Sequence, residues 1–274
     1  MIAFWLSLVA KMVTSAAVVV TASLIVERAG PVLGALVATL PISAGPAYAF
    51  LALEHSPEFL ARSTLASLAV NAGTGPFVVV YAALAQRHGL FASIGTALGL
   101  WVVLAVVLTR LSLDFPQVAV LNAVSYGAAY VLTRPHRRAP DGVRAERRWW
   151  DLPARAATVM AIVAGVITAG RLVGPAAAGI VALLPVVLTS LVLVMHPRVG
   201  GRTTAAVLAN SIPGMVGFSC GLATLHLTLV PFGSAAALLL GLAVCVAWNV
   251  GLLALNLWST RRIPGRAGAR VRRK

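Results

Sequence analysis

Gly30-Pro31-Val32-Leu33-Gly34-Ala35-Leu36-Val37-Ala38-Thr39-Leu40-Pro41 returns later in the chain as Gly174-Pro175-Ala176-Ala177-Ala178-Gly179-Ile180-Val181-Ala182-Leu183-Leu184-Pro185. The offset is 144 residues, six of the twelve positions are identical, and nearly all the others stay apolar or small. A unit that recurs at a fixed offset governs the architecture, because both copies must solve the same folding problem. Each copy lies inside a segment long enough to cross a bilayer and ends on a proline. Proline removes an amide donor and crowds the carbonyl one turn back, so a span that carries it is interrupted. Paired interrupted spans in the two halves of a chain point to the solute site of a transporter.

The composition around the repeat agrees with a membrane setting. Of 274 residues, 59% are hydrophobic and only 11% are charged. A soluble domain of this length carries far more charge. The net charge of +15 does not indicate nucleic acid, because the basic residues flank apolar runs, as membrane orientation requires. The partners implied are membrane lipid and a small solute, with no nucleic acid; a homo-oligomer is compatible. Cys220 and Cys245 both sit in apolar runs, so they give neither a disulfide framework nor a zinc spacing. The first apolar run lacks a basic head and is long enough to span, which reads as a retained helix.

Nine apolar spans can be laid out: 4–26, 31–53, 63–86, 90–109, 115–133, 154–172, 175–195, 203–225 and 232–258. The expected fold is an all-α polytopic membrane protein. With the N-terminus outside and the C-terminus in the cytoplasm, eighteen of the twenty-two Lys and Arg residues face the cytoplasm. The positive-inside rule favours that orientation in a bacterial inner membrane. The basic linker and tail then act as topology determinants, with Trp149 and Trp150 as interface anchors.

Spans one to four correspond to spans six to nine, and span five connects them. Matching elements are five spans apart, an odd number, so the second copy must be inverted relative to the first. The expected organisation is a first four-helix repeat at 1–110, a connector span and basic loop at 111–152, an inverted repeat at 153–258 and a basic tail at 259–274. Further landmarks recur in order: Lys11 with Arg155, His55 with His196, Arg62-Ser63-Thr64 with Arg202-Thr203-Thr204, and Asn71 with Asn210.

Four interruptions fall near mid-span: Pro41 to Pro46, Asn71 to Pro76, Pro185 to Ser190, and Asn210 to Gly214. Freed carbonyls and buried amides need partners in hydrocarbon, and a hydrated pocket supplies them. The candidate solute-binding residues are therefore Pro41, Ser43, Asn71, Thr74, Pro185, Thr189, Asn210 and Ser211. The competing reading is close helix packing through Gly, Ser and Thr. Lys11 and Arg155 are read as snorkelling to the interface, His55 and His196 as satisfied turn residues, and Asn249 as an interhelical hydrogen bonder.

All seven acidic residues lie at span ends or in loops. A mid-membrane carboxylate is the usual mark of a cation or proton pathway. Its absence leaves a neutral or anionic solute, or a cation held by carbonyls and hydroxyls. No catalytic constellation, phosphate loop or metal cluster is present in the sequence, so neither an enzyme nor a cofactor is expected.

The plan resembles secondary transporters built from inverted repeats with broken helices. Each half also resembles the small GlpM-type bacterial inner-membrane proteins. Both have a Gly-Pro opening, an apolar run to Leu40-Pro41 or Leu184-Pro185, then His and Arg at the next turn. The first resemblance implies alternating access; the second says nothing about substrate. The expected function is transport of a small neutral or anionic solute, a lipid-linked one included. The alternative is a non-transporting accessory protein for an envelope assembly.

Overall fold

The computed structural model describes residues 44–138, 151–175 and 185–261, together with 9, 10, 12–14, 16, 17, 21, 177 and 180. Pro41, Ser43, Lys11, the first copy of the repeated stretch, most of the basic linker and the basic tail lie outside the described residues. Everything regular that is described is helical, with no strand among the described residues. The helices are α1 (Ala44–Glu54), α2 (Pro57–Asn71), α3 (Thr74–Leu84), α4 (Leu90–Arg110), α5 (Phe115–Leu132), α6 (Asp151–Leu172) and α7 (Val186–Arg261).

Among the described residues, four stretches are long and apolar enough to cross a membrane: Pro57–Leu84, Leu90–Arg110, Phe115–Leu132 and Met195–Leu255. The last is 61 residues long. At 1.5 Å per residue a straight rod of that length would be about 92 Å, some three times the hydrocarbon thickness. It is not straight. Gly200 (φ 80°) and Gly233 (φ 78°) adopt left-handed conformations that glycine reaches without a Cβ clash. They cut α7 into pieces at 186–199, 201–232 and 234–261.

Local chemistry explains the other boundaries. Ser56 caps α2 by accepting from the Phe59 amide at 3.4 Å, and Pro57 follows where no helical donor is needed. Asp114 and Gln117 form a reciprocal capping box at the head of α5, with both bonds at 3.0 Å. At the C-terminal end of α1, Glu54 pairs with Arg171 at the end of α6, Nε to Oε2 3.5 Å.

The α2–α3 segment is the enclosed one. Leu60, Leu68, Val70, Phe77, Val78 and Tyr81 are fully buried. By contrast α4 and α5 turn Phe91, Val102, Val103, Val106, Val120 and Val124 outward, an apolar surface suited to lipid. The 201–232 piece of α7 runs antiparallel to α2–α3. Gly201 lies against Ala85 at one end, and His226 Nδ1 meets the Ala61 carbonyl at 2.8 Å at the other. The 234–261 piece returns along it. Gly217, Gly221 and Gly241 let the two pieces touch: a Cβ on Gly217 would strike Trp248, one on Gly221 would strike Cys245, and one on Gly241 would lie 3.0 Å from the Gly221 carbonyl. Trp248 Nε1 closes this seam by donating to Pro213 O at 2.8 Å. Asn249 corrects the interhelical expectation, since its amide donates to Cys245 O at 2.9 Å in its own helix.

Candidate functional site

Asn71 stands in the middle of the Pro57–Leu84 segment, fourteen residues from one end and thirteen from the other. Each arm is about 20 Å long at 1.5 Å per residue, so Asn71 stands at the midpoint of a segment long enough to cross a bilayer. Directly after it the regular α-helical bonding is interrupted by one tight turn, in which Ala72 and Gly73 keep helical φ and ψ. Ala72 and Gly73 make short-range bonds to Ala69 O (3.3 Å) and Val70 O (2.9 Å), and α3 starts at Thr74.

The break follows from Gly75-Pro76. Pro76 has no amide hydrogen, so the Ala72 carbonyl loses its donor one turn on. Ser125 Oγ of α5 supplies it instead, at 2.5 Å. Gly75 makes room for that approach, because a Cβ there would strike Ser125 Oγ and lie 3.0 Å from its carbonyl. Tyr126 on α5 donates its hydroxyl to Asn71 O at 2.9 Å.

The Asn71 side chain completes a three-helix network. Its Nδ2 donates to Asn122 Oδ1 on α5 (3.1 Å) and to Ser219 Oγ on α7 (2.7 Å). Asn122 Nδ2 donates in turn to Leu68 O (2.7 Å) and Val118 O (2.9 Å). The single proton of Ser219 has two acceptors within reach, Met215 O (3.1 Å) and Asn122 Oδ1 (3.3 Å). Thr74 and Ser219 also lie beside the Tyr126 hydroxyl. Asn71, Thr74, Asn122, Tyr126 and Ser219 are all buried. The network holds no charged side chain, so it offers amide and hydroxyl dipoles that both donate and accept.

A second polar group lies on the same helix toward its N-terminal end. Ser63, Ser67 and Asn71 repeat every four residues, so they line one face of α2. The Tyr48 hydroxyl of α1 bonds Ser67 Oγ and lies beside Ser63 and Thr64. At the opposite end of α2–α3, Tyr81 Oη meets His196 Nδ1 at 2.8 Å. His196 is thus a partnered helix residue rather than a turn residue. His55 stacks on Phe59 with ring centroids 3.9 Å apart, and its Nε2 is buried without a hydrogen bond among the described residues.

Of the residues predicted to form the site, Asn71 and Thr74 come together. Asn210 does not join them. It is exposed and donates to Arg137 O at 3.0 Å. Nine helical residues separate it from Ser219, about 13 Å along the axis. Ser211 is half-buried and donates back to Leu208 O at 2.8 Å. Pro185 is buried at the head of α7 and accepts from Thr189 N at 2.8 Å, while Thr189 Oγ1 is buried without a hydrogen bond among the described residues. Asn122, Ser125, Tyr126 and Ser219 were not among the predicted residues. An asparagine inside an apolar span was the available signal for Asn122. Four-residue spacing was the signal for Ser63 and Ser67.

No group of three or more His, Cys, Asp or Glu side chains able to hold a metal occurs among the described residues. No protein-family model, curated protein or solved structure matches the chain.

Proposed function

We propose that the chain is a bacterial inner-membrane transporter that moves a small neutral or anionic solute by alternating access. The Asn71 network is its central site. One observation carries this reading: a span enclosed by other helices is interrupted at its midpoint and lined there by neutral amides and hydroxyls from three helices. A carbonyl without its helical donor at that depth is tolerated only where protein or a hydrated cavity surrounds it. A lipid-linked solute is a special case of the same reading.

The alternating sidedness of the proposed spans is supported by which span ends meet. It puts Glu54 and Arg171 on the outer face, and they form an ion pair. It puts Tyr81 and His196 near the inner face, and they are hydrogen-bonded. His226 with Ala61, at the outer ends of their spans, agrees in the same way.

The test is uptake by purified protein in proteoliposomes, screened against radiolabelled neutral and anionic solutes. Wild type should accumulate at least one solute, and Asn71→Leu should abolish that uptake while keeping expression. Uptake unchanged by Asn71→Leu sinks the site, and a panel with no uptake sinks transport. The second reading, a non-transporting accessory role in envelope assembly, is favoured by one feature. The network's hydrogen bonds close among protein groups, as packing glue does. In that case Asn71→Leu changes stability alone, by about 0.6 kcal/mol for each interhelical bond.

A further inference from the structure

The helices group unequally around the polar face of α2. α1 packs chiefly against α6, and the Glu54–Arg171 pair ties their C-terminal ends. α2 packs chiefly against α7, and α5 joins both. The seam between these groups is where Tyr48 meets Ser67 beside Ser63 and Thr64, and all four residues are buried.

Hydroxyls at a seam between helices in lipid can serve packing alone, so what matters here is whether each one has a partner. This seam carries four hydroxyls. Thr64 directs its proton to Leu60 O at 2.7 Å, which leaves its oxygen as an acceptor. Ser63 Oγ is 0% exposed at the residue level and makes no hydrogen bond among the described residues. A buried hydroxyl in that condition calls for a ligand or a water. One turn beyond Ser67 along the same face stands Asn71. The hydroxyls therefore lead from the N-terminal half of α2 to the mid-span network.

We infer that the Tyr48–Ser63–Thr64–Ser67 seam is a subsite for a small uncharged solute of the polyol or urea kind, on its way to Asn71. This rests on the transport reading above. Uncharged solutes fit because hydroxyls both donate and accept, whereas an ion would shed its hydration with no counter-charge among the four residues. Admission requires α1 and α6 to part from α2, with the solute replacing the Tyr48–Ser67 bond.

The test uses full-length protein in proteoliposomes, with Cys220→Ser and Cys245→Ala removing the native thiols. Ser63→Cys is compared with Leu68→Cys, which is equally buried on a different face of α2. Each is treated with hydroxyethyl methanethiosulfonate and with its sulfonatoethyl and trimethylammonium-ethyl analogues, all rates being normalised to free cysteine. The neutral reagent should modify Ser63→Cys at least tenfold faster than it modifies Leu68→Cys, and at least tenfold faster than either charged reagent does. Equal rates at the two positions, or equal rates for neutral and charged reagents, overturn the subsite. Thr64→Cys is read in the same way where Ser63→Cys does not fold. Labelling needs no transport, so the two readings fail separately. Uptake without Ser63→Cys labelling removes the seam alone; labelling without uptake of any solute removes the transporter alone.

Discussion

Asn71 donates both protons of one amide to two other helices, and its own carbonyl is held by a third residue, Tyr126. Removing it leaves Asn122 Oδ1 and Ser219 with altered partners, and both residues are buried. Asn71→Ala should destabilise the protein by about 1–3 kcal/mol, the range for orphaned buried polar groups. A double-mutant cycle with Asn122→Ala should return a coupling of about 0.6 kcal/mol, rising toward 1.7 if the network is stiff. Unfolding in mixed micelles measures both, and additive effects would mean that the 3.1 Å contact is energetically idle. Asn210→Ala should change stability by less than about 0.5 kcal/mol, as an exposed position implies.

At the scale of the element, the α2–α3 break is a substitution of one donor for another. Pro76 withholds a backbone hydrogen and Ser125 provides one. Ser125→Ala alone should cost about 1–3 kcal/mol. In a Pro76→Ala background the backbone can donate again, so the cost of Ser125→Ala should fall close to zero. A cost unchanged by the proline substitution would show that the bond is not what holds the break. The hairpin of α7 offers a second contrast. Gly217→Leu must displace Trp248, whereas nothing lies within 4 Å of where a side chain would grow on Gly95. Overpacking costs about 1–3 kcal/mol. Gly217→Leu should therefore lower thermal stability markedly, and Gly95→Leu should leave it unchanged.

At the scale of the molecule, the charge pattern predicts that a cysteine placed in the 262–274 tail stays unlabelled by impermeant thiol reagents in intact cells. Efficient labelling from outside would reverse the orientation. Much of the helical plan was legible in the residues. Apolar runs at 90–109 and 115–133 become α4 and α5 almost residue for residue, because length and hydropathy alone decide a span. The break after Asn71 was legible from Gly75-Pro76, since the missing proton is a covalent fact. The partners were not. That Ser125 fills the gap depends on the packing angle of α5, which no local pattern encodes. Symmetry also misled in one respect. Asn210 was paired with Asn71 by its place in the repeat, yet Ser219, about two and a half turns further on, is the α7 residue that reaches Asn71. Corresponding positions in a repeated sequence need not meet the same neighbours.

The donor that completes the α2–α3 break is made late. Ser125 lies 53 residues after the Ala72 carbonyl it serves. A ribosome adds roughly 5–20 residues each second, so the carbonyl waits about 3–10 s for its partner. During that interval the span leaves the insertion channel with an open acceptor that lipid cannot satisfy. α1, α2 and α3 are therefore expected to stay beside the translocation machinery until α5 emerges, and a chain truncated before residue 115 should be retained there or degraded.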